Sequence, residues 1–201
     1  MRLHAVIVPP AEAFAELGQA VDRAGGDEPA VPWLPRHEWQ LRLAYFGNLG
    51  LRESVTIRET LTKIGSYCHP LMLQMVGAEA LPEEGRAETL TVGLAGDVDA
   101  LWSLARAIPS MVQPYGLFLD RRSFRASITI AHGSRGPFDA RQAMSRLAGF
   151  SGIGWQADEM RIVRWVPGGV GGPDDWETVD SYRFTAPRED TDAQVPDPAA
   201  H

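Results

Sequence analysis

WQLRLAYFG, residues 39–47, and RASITIAHG, residues 125–133, are two copies of one pattern, and the rest of the chain is ordered around them. Aligned, Gln40 falls on Ser127, Leu41 on Ile128, Arg42 on Thr129, Leu43 on Ile130 and Ala44 on Ala131. Side chains alternate faces along a strand, so Gln40 and Arg42 share one face, and Ser127 and Thr129 share one face of the second copy. Arg125, two residues before Ser127, points the same way. Taken alone, this is the pattern of two amphipathic strands with water on the polar side.

Outward from the first copy, RLHAVIVPP (residues 2–10) is a β-rich apolar run stopped by two prolines. AEAFAELGQAVDRA then spaces Phe14, Leu17 and Val21 along one helical face, and Gly25 and Gly26 end it. A proline-rich loop with Trp33 delivers the first copied strand. Residues 52–64 put Val55, Ile57, Leu61 and Ile64 near a common side and predict a second helix. Pro70 opens the strand LMLQMVG, and TLTVGLAG (residues 89–96) comes next as its neighbour. Residues 97–112 predict a helix capped at Asp97 or Asp99, carried by Leu101, Leu104, Ala105 and Ile108 and disturbed at Pro109.

Beyond the second copy, Pro137 marks a helix start with Phe138, Ala143, Met144 and Leu147 behind it. MRIVRWV (residues 160–166) and ETVDSYRF (residues 177–184) read as a long hairpin across PGGVGGPDD. The order is therefore strand, helix, strand, helix, strand, strand, helix, strand, helix, hairpin. Its internal repetition predicts two related lobes that face each other, with the copied strands at their interface. One bilobal domain is expected over residues 1–186. The acidic, proline-rich segment 187–201 lacks periodicity and reads as a disordered tail.

Composition narrows the function classes. A chain of 201 residues, 44% hydrophobic, can bury a core as one domain or two intimately packed lobes. No apolar run reaches the roughly 20 residues of a membrane span, and no leader region is evident, so a soluble, cytoplasmic protein is expected. Cys68 is the only cysteine, which excludes an intramolecular disulfide and a Cys-rich zinc site. The net charge of −7 argues against a broad basic nucleic-acid surface. Part of that excess sits in the tail, where Arg188 is outnumbered by Glu189, Asp190, Asp192 and Asp197, so a local cationic groove is compatible with it.

The wider contexts, WLPRHEWQLRLAYFG (residues 33–47) and DRRSFRASITIAHG (residues 120–133), resemble the two signature segments of the 2H phosphoesterase superfamily. The likeness is to its 2′-5′ RNA ligase and RNA 2′,3′-cyclic phosphodiesterase branch, and it spans residues 2–184. Each family segment carries a His-x-Thr or His-x-Ser motif on a strand. Here Gln40 stands at the first histidine, Arg42 at the first threonine and Ser127 at the second histidine, while Thr129 is kept. The resemblance implies an α+β fold, with two pseudo-symmetric lobes of antiparallel sheet, helices outside and a central groove. It also implies paired histidines acting as general base and acid on a phosphodiester, with the hydroxyl residues holding phosphate oxygens.

That chemistry is not carried by the residues present. Gln40 does not ionise at neutral pH, and an unassisted Ser127 hydroxyl is too weak an acid to protonate a leaving group. No catalytic residue is therefore assigned. Arg42, by contrast, puts a permanent planar cation where the family keeps a hydroxyl, suited to bidentate phosphate or carboxylate contact. Gln40, Arg42, Arg125, Ser127 and Thr129 are the candidate ligand-binding residues. The expected partner is a phosphorylated small molecule, a nucleotide or an RNA end.

Two alternatives stand beside this. One is a phosphodiesterase using relocated residues such as His37 with Arg42. The other is a partner-binding scaffold whose Arg42 merely pairs with a carboxylate. Among the other histidines, His132 lies an odd offset from Ser127 and is expected to face away from the groove. His4, His69 and His201 form no metal-ligand spacing with the rest, so neither a metal nor another cofactor is expected. The loop at residues 168–172 lacks the Lys and Ser/Thr of a phosphate-binding P-loop and reads as a hairpin connection. The tryptophans are expected mostly in packing, with one near the groove able to stack a base.

Overall fold

A computed structural model describes residues 2–25, 30–119, 124–166 and 175–187. Its strands are β1 (Arg2–Ile7), β2 (Leu41–Asn48), β3 (Leu71–Leu81), β4 (Thr89–Gly96), β5 (Ser127–His132), β6 (Ser151–Ala157), β7 (Glu159–Val166) and β8 (Asp175–Arg183). Its helices are α1 (Ala11–Arg23), α2 (Leu51–Tyr67), α3 (Val98–Val112) and α4 (Arg141–Leu147). The strands form two four-stranded antiparallel sheets, ordered β2-β1-β7-β8 and β5-β4-β3-β6. The architecture is α+β, and the two copied strands, β2 and β5, are each the first edge of their sheet.

The halves repeat one another. Strand, helix, strand, helix runs as β1-α1-β2-α2 in the first and as β4-α3-β5-α4 in the second. They are also interleaved. Helix α1 leaves the first sheet and packs on β6 of the second, where the Ile153 N–H donates to Glu16 Oε2 at 2.6 Å. Helix α3 in turn lies against α2 and β2. One continuous core results, running from Ala5, Ile7 and Leu41 through Ile57 and Leu61 to Leu73, Leu90, Ile108 and Ile128.

The sequence periodicities account for most of these faces. On α1 the buried residues are Ala13, Leu17, Gly18, Ala20 and Val21, while Phe14 is only half-buried. The helix stops before Gly25, whose φ of 101° suits glycine alone. On α2, Ile57, Leu61 and Ile64 are buried at helical spacing, but Val55 is 56% exposed, because two residues before Ile57 is the opposite side of a helix.

Three expectations about elements are corrected. Helix α3 continues past Pro109 to Val112, since the buried row of Leu101, Leu104, Ala105, Ile108 and Val112 outweighs one missing N–H near the helix end. Pro137 does not open α4, which begins at Arg141. Phe138 instead bridges Ala87, with each backbone N–H donating to the other's carbonyl at 2.8 Å. Strand β6 is additional to the predicted order. The glycine loop at residues 168–172 and the tail from residue 188 lie outside the described residues.

Candidate functional site

The groove wall starts from a seam between the two sheet edges. The loop before β2 runs antiparallel to the end of β5, with Trp33 bridging Ala131. Leu34 donates its N–H to the Ile130 carbonyl at 2.8 Å, and His132 donates to the Pro32 carbonyl at 3.1 Å. Trp39, 1% exposed, anchors the turn into β2 by donating its indole N–H to the Leu34 carbonyl at 3.1 Å. The two copied strands thus meet edge to edge, although no continuous ladder joins them.

Each copied strand also carries a bulge at the same aligned position. Val6 pairs with Arg42 and Ala5 with Ala44, so Leu43 is extra in β2. Thr91 pairs with Thr129 and Leu90 with Ala131, so Ile130 is extra in β5. Leu43 and Ile130 are the aligned residues. Both bulges come directly after the polar residue of their motif, Arg42 or Thr129. Bulges collect at sheet edges and beside sites because they re-aim the side chains downstream of them. Here the pair Leu43 and Ala44, like the pair Ile130 and Ala131, is buried on the core side.

Between these edges lies a cavity of about 710 Å³, which Gln40, Arg42, Arg125, Ser127 and Thr129 all line. The structure therefore brings together all five candidate ligand-binding residues, though not His37. Thr89, Thr91 and Glu88 from β4 and its approach, with Leu81 and Pro82, complete the wall. These five were not anticipated; the TLTVGL alternation could have supplied the two threonines, whereas nothing local marked Glu88. Two guanidinium groups and one carboxylate leave the lining cationic, against the sign of the whole chain.

The individual groups differ in how far they are already satisfied. Gln40 is 7% exposed and donates from Nε2 to the His37 carbonyl at 3.2 Å, while its Oε1 is buried without a partner. Buried acceptors are normally paired, so this oxygen is open to a donor. Thr91 is buried and donates to the Glu79 carbonyl at 3.4 Å. The Ser127 N–H donates to the Arg125 carbonyl at 2.8 Å, a tight turn that sets Arg125 at the mouth of β5. Arg42 is exposed and makes no ion pair with any described residue. Its Cζ lies 5.9 Å from the ring centre of Trp176, a cation–π contact.

None of the described histidines is among the residues that line the cavity. His37 is exposed in a short 3₁₀ turn, 6.5 Å from the Trp165 ring, and does not line the cavity. His132, expected to face away, is not among the residues lining the cavity, although the Ile130 bulge shifts the alternation so that it pairs with Thr89. His4 packs on Tyr45 and Trp176 at centroid distances of 4.7 and 5.0 Å. Among the described residues, no group of three His, Cys, Asp or Glu side chains is placed to hold a metal. No helix among them is long and apolar enough to cross a membrane.

Comparison by sequence returns no matching family model and no matching curated protein. Comparison by structure does. The Thermus thermophilus protein TT0787 superposes with a TM-score of 0.70 at 16% identity, covering 94% of this chain and all of that one. Escherichia coli LigT complexed with 3′-AMP gives 0.71 at 16% identity over 92% of this chain and 98% of LigT. A structure described as a phosphoesterase gives 0.68 at 16% identity, with 92% and 99% covered. The chain has the fold of LigT and TT0787, the two-sheet, grooved α+β fold that its resemblance to the 2H phosphoesterases implies.

Proposed function

We propose that this chain is a cytoplasmic 2H-type protein that lacks the family's histidine-dependent phosphodiester chemistry and binds a phosphorylated ligand in the groove, such as a nucleotide or an RNA end. The observation that carries this is Arg42, a cation with no described carboxylate partner, lining one cavity with Arg125, Ser127 and Thr129. A guanidinium with adjacent hydroxyls gives charge-assisted and neutral donors to the same phosphate. The scaffold alternative required Arg42 to be tied to a carboxylate, and none of the described residues does this. The relocated-residue alternative draws no support from His37, which lies outside the cavity lining.

Structures of E. coli LigT complexed with 3′-AMP, NADP+, ATP and phosphate support the choice of ligand class, since that protein has the same fold. Proton transfer is a different matter. The resemblance sets Gln40 and Ser127 at the family's two histidine positions, and neither side chain exchanges a proton near neutral pH. Glu88 adds a selective element, because its carboxylate repels a second phosphate and accepts hydrogen bonds from hydroxyl or amino groups.

The test is a thermal-shift titration with inorganic phosphate and 3′-AMP, run beside a hydrolysis assay on a nucleoside 2′,3′-cyclic phosphate. Ligand-dependent stabilisation without turnover is expected. Turnover by purified protein that is lost in Arg42→Ala would replace binding with catalysis, and no shift with either ligand would end the anion reading.

A further inference from the structure

Resting on the reading that the groove holds a phosphate, we propose that it takes a phosphate monoester that also carries a protonated amine, with the phosphate toward Arg42 and Arg125 and the ammonium on the Glu88 carboxylate. The observation is a set of opposite charges that share one cavity without meeting. Arg42, Arg125 and Glu88 all line it, and none of them forms an ion pair with another or with any other described residue. Elsewhere the chain joins such groups, as in Arg36 with Asp22 at 2.8 Å, Arg58 with Asp180 at 2.9 Å and Arg161 with Glu159 at 2.6 Å.

Strand register keeps the charges apart. Ser127 pairs with Gly93 at one end of the β4–β5 ladder, and His132 pairs with Thr89 at the other. Arg125 precedes Ser127 and Glu88 precedes Thr89, so in antiparallel strands the two leave opposite ends of the ladder. From Gly93 to Glu88 the backbone covers roughly 16 Å at about 3.3 Å per residue. The cavity therefore has a cationic end and an acidic one. A bare phosphate serves only the first, since its oxygens accept hydrogen bonds and so does Glu88. Gln40 Oε1 is a second unserved acceptor in the same lining, buried without a partner while Nε2 is held by the His37 carbonyl at 3.2 Å. A ligand that brings N–H donors as well as an anion supplies what these acceptors lack. A hydroxyl would bring a donor too, but only an ammonium also matches the charge of Glu88.

The experiment is calorimetry at low and at high salt with hexyl phosphate, 6-hydroxyhexyl phosphate and 6-aminohexyl phosphate, whose chain is long enough to put the amine well away from the phosphate. Each is titrated into the full chain and into Glu88→Gln, Glu88→Lys and Arg42→Ala. The full chain should bind the amine about 2- to 5-fold more tightly than either comparator at low salt, a gain that shrinks at high salt as for an exposed ion pair. Glu88→Gln should erase the gain and Glu88→Lys should turn it into a penalty, neither weakening hexyl phosphate, whereas Arg42→Ala should weaken all three esters. An amine that binds no better than the hydroxyl, or an advantage that survives Glu88→Gln, overturns the inference while phosphate binding stands. Failure of all three esters to bind the full chain removes the anion reading and this inference with it.

Discussion

Replacing Arg42 with alanine should separate ligand binding from folding, because its contacts are few. The side chain is exposed, forms no ion pair with a described residue, and touches Trp176 only as a cation 5.9 Å from the ring centre. Such a contact is worth about 0.5–1 kcal/mol at an exposed site, and at this chain length that is roughly 2–4 °C in melting temperature at most. A ligand at a hundred times its dissociation constant stabilises the native state by about 2.7 kcal/mol. Losing a charge-assisted hydrogen bond removes about 1.5–3 kcal/mol of binding, a roughly 10- to 150-fold weakening. At the same ligand concentration the stabilisation then falls to about 0.3–1.4 kcal/mol. Differential scanning fluorimetry with phosphate or 3′-AMP reads both numbers at once. A ligand-induced shift of the same size in the variant refutes the assignment of Arg42. A collapse in the melting temperature of the free variant shows that its role is structural.

Other expectations rest on named contacts. The triple variant Gln40→His, Arg42→Thr, Ser127→His puts a His-x-Thr pair on both walls. It should open a nucleoside 2′,3′-cyclic phosphate where the parent does not, as chromatography of the products would reveal. Gly65→Ala should destabilise by about 1–3 kcal/mol in urea titration, because a Cβ there would stand 2.5 Å from the Arg183 carbonyl oxygen, a backbone atom with little room to move. Burial pushes the Cys68 thiol up to about 11 from 9.0, so the native chain holds a proton that the unfolded chain releases between those values. The shift therefore leaves stability untouched below pH 9 and lowers it as pH rises toward 11. Iodoacetamide should label the native thiol far more slowly than the urea-unfolded one at neutral pH, and equal rates would contradict it.

The polar faces of the copied strands were legible because their alternation survives up to the bulge: Gln40 and Arg42, Ser127 and Thr129 all reach one cavity. Past the bulge the alternation misleads, since a bulge is a property of pairing with β1 or β4 and leaves no mark in the strand's own residues. Strand β6 went unseen because SGIGWQA has two glycines and only one β-branched residue, and it is held as a strand by β3 and by Glu16 of α1. Pro137 looked like a helix start, but Phe138 found a better partner in Ala87 than in a helical turn. That the resemblance sets Gln40 and Ser127 at its two histidine positions was readable in the sequence. The carboxylate of Glu88 on the same wall was not, because only the β4–β5 pairing brings it there.

The chain threads its sheets unevenly. Strands β3 to β6, residues 71–157, make the second sheet without help from either terminus, whereas the first is assembled from β1 and β2 near the beginning and β7 and β8 near the end. During synthesis the wall bearing Ser127 and Thr129 can therefore be complete while the opposite one is still only the pair β1 and β2. Arg42 acquires Trp176 behind it only after the ribosome has passed residue 176. A nascent chain thus has one finished half waiting for the other, and Arg42 stays without its aromatic backing until the last pair of strands closes on β1.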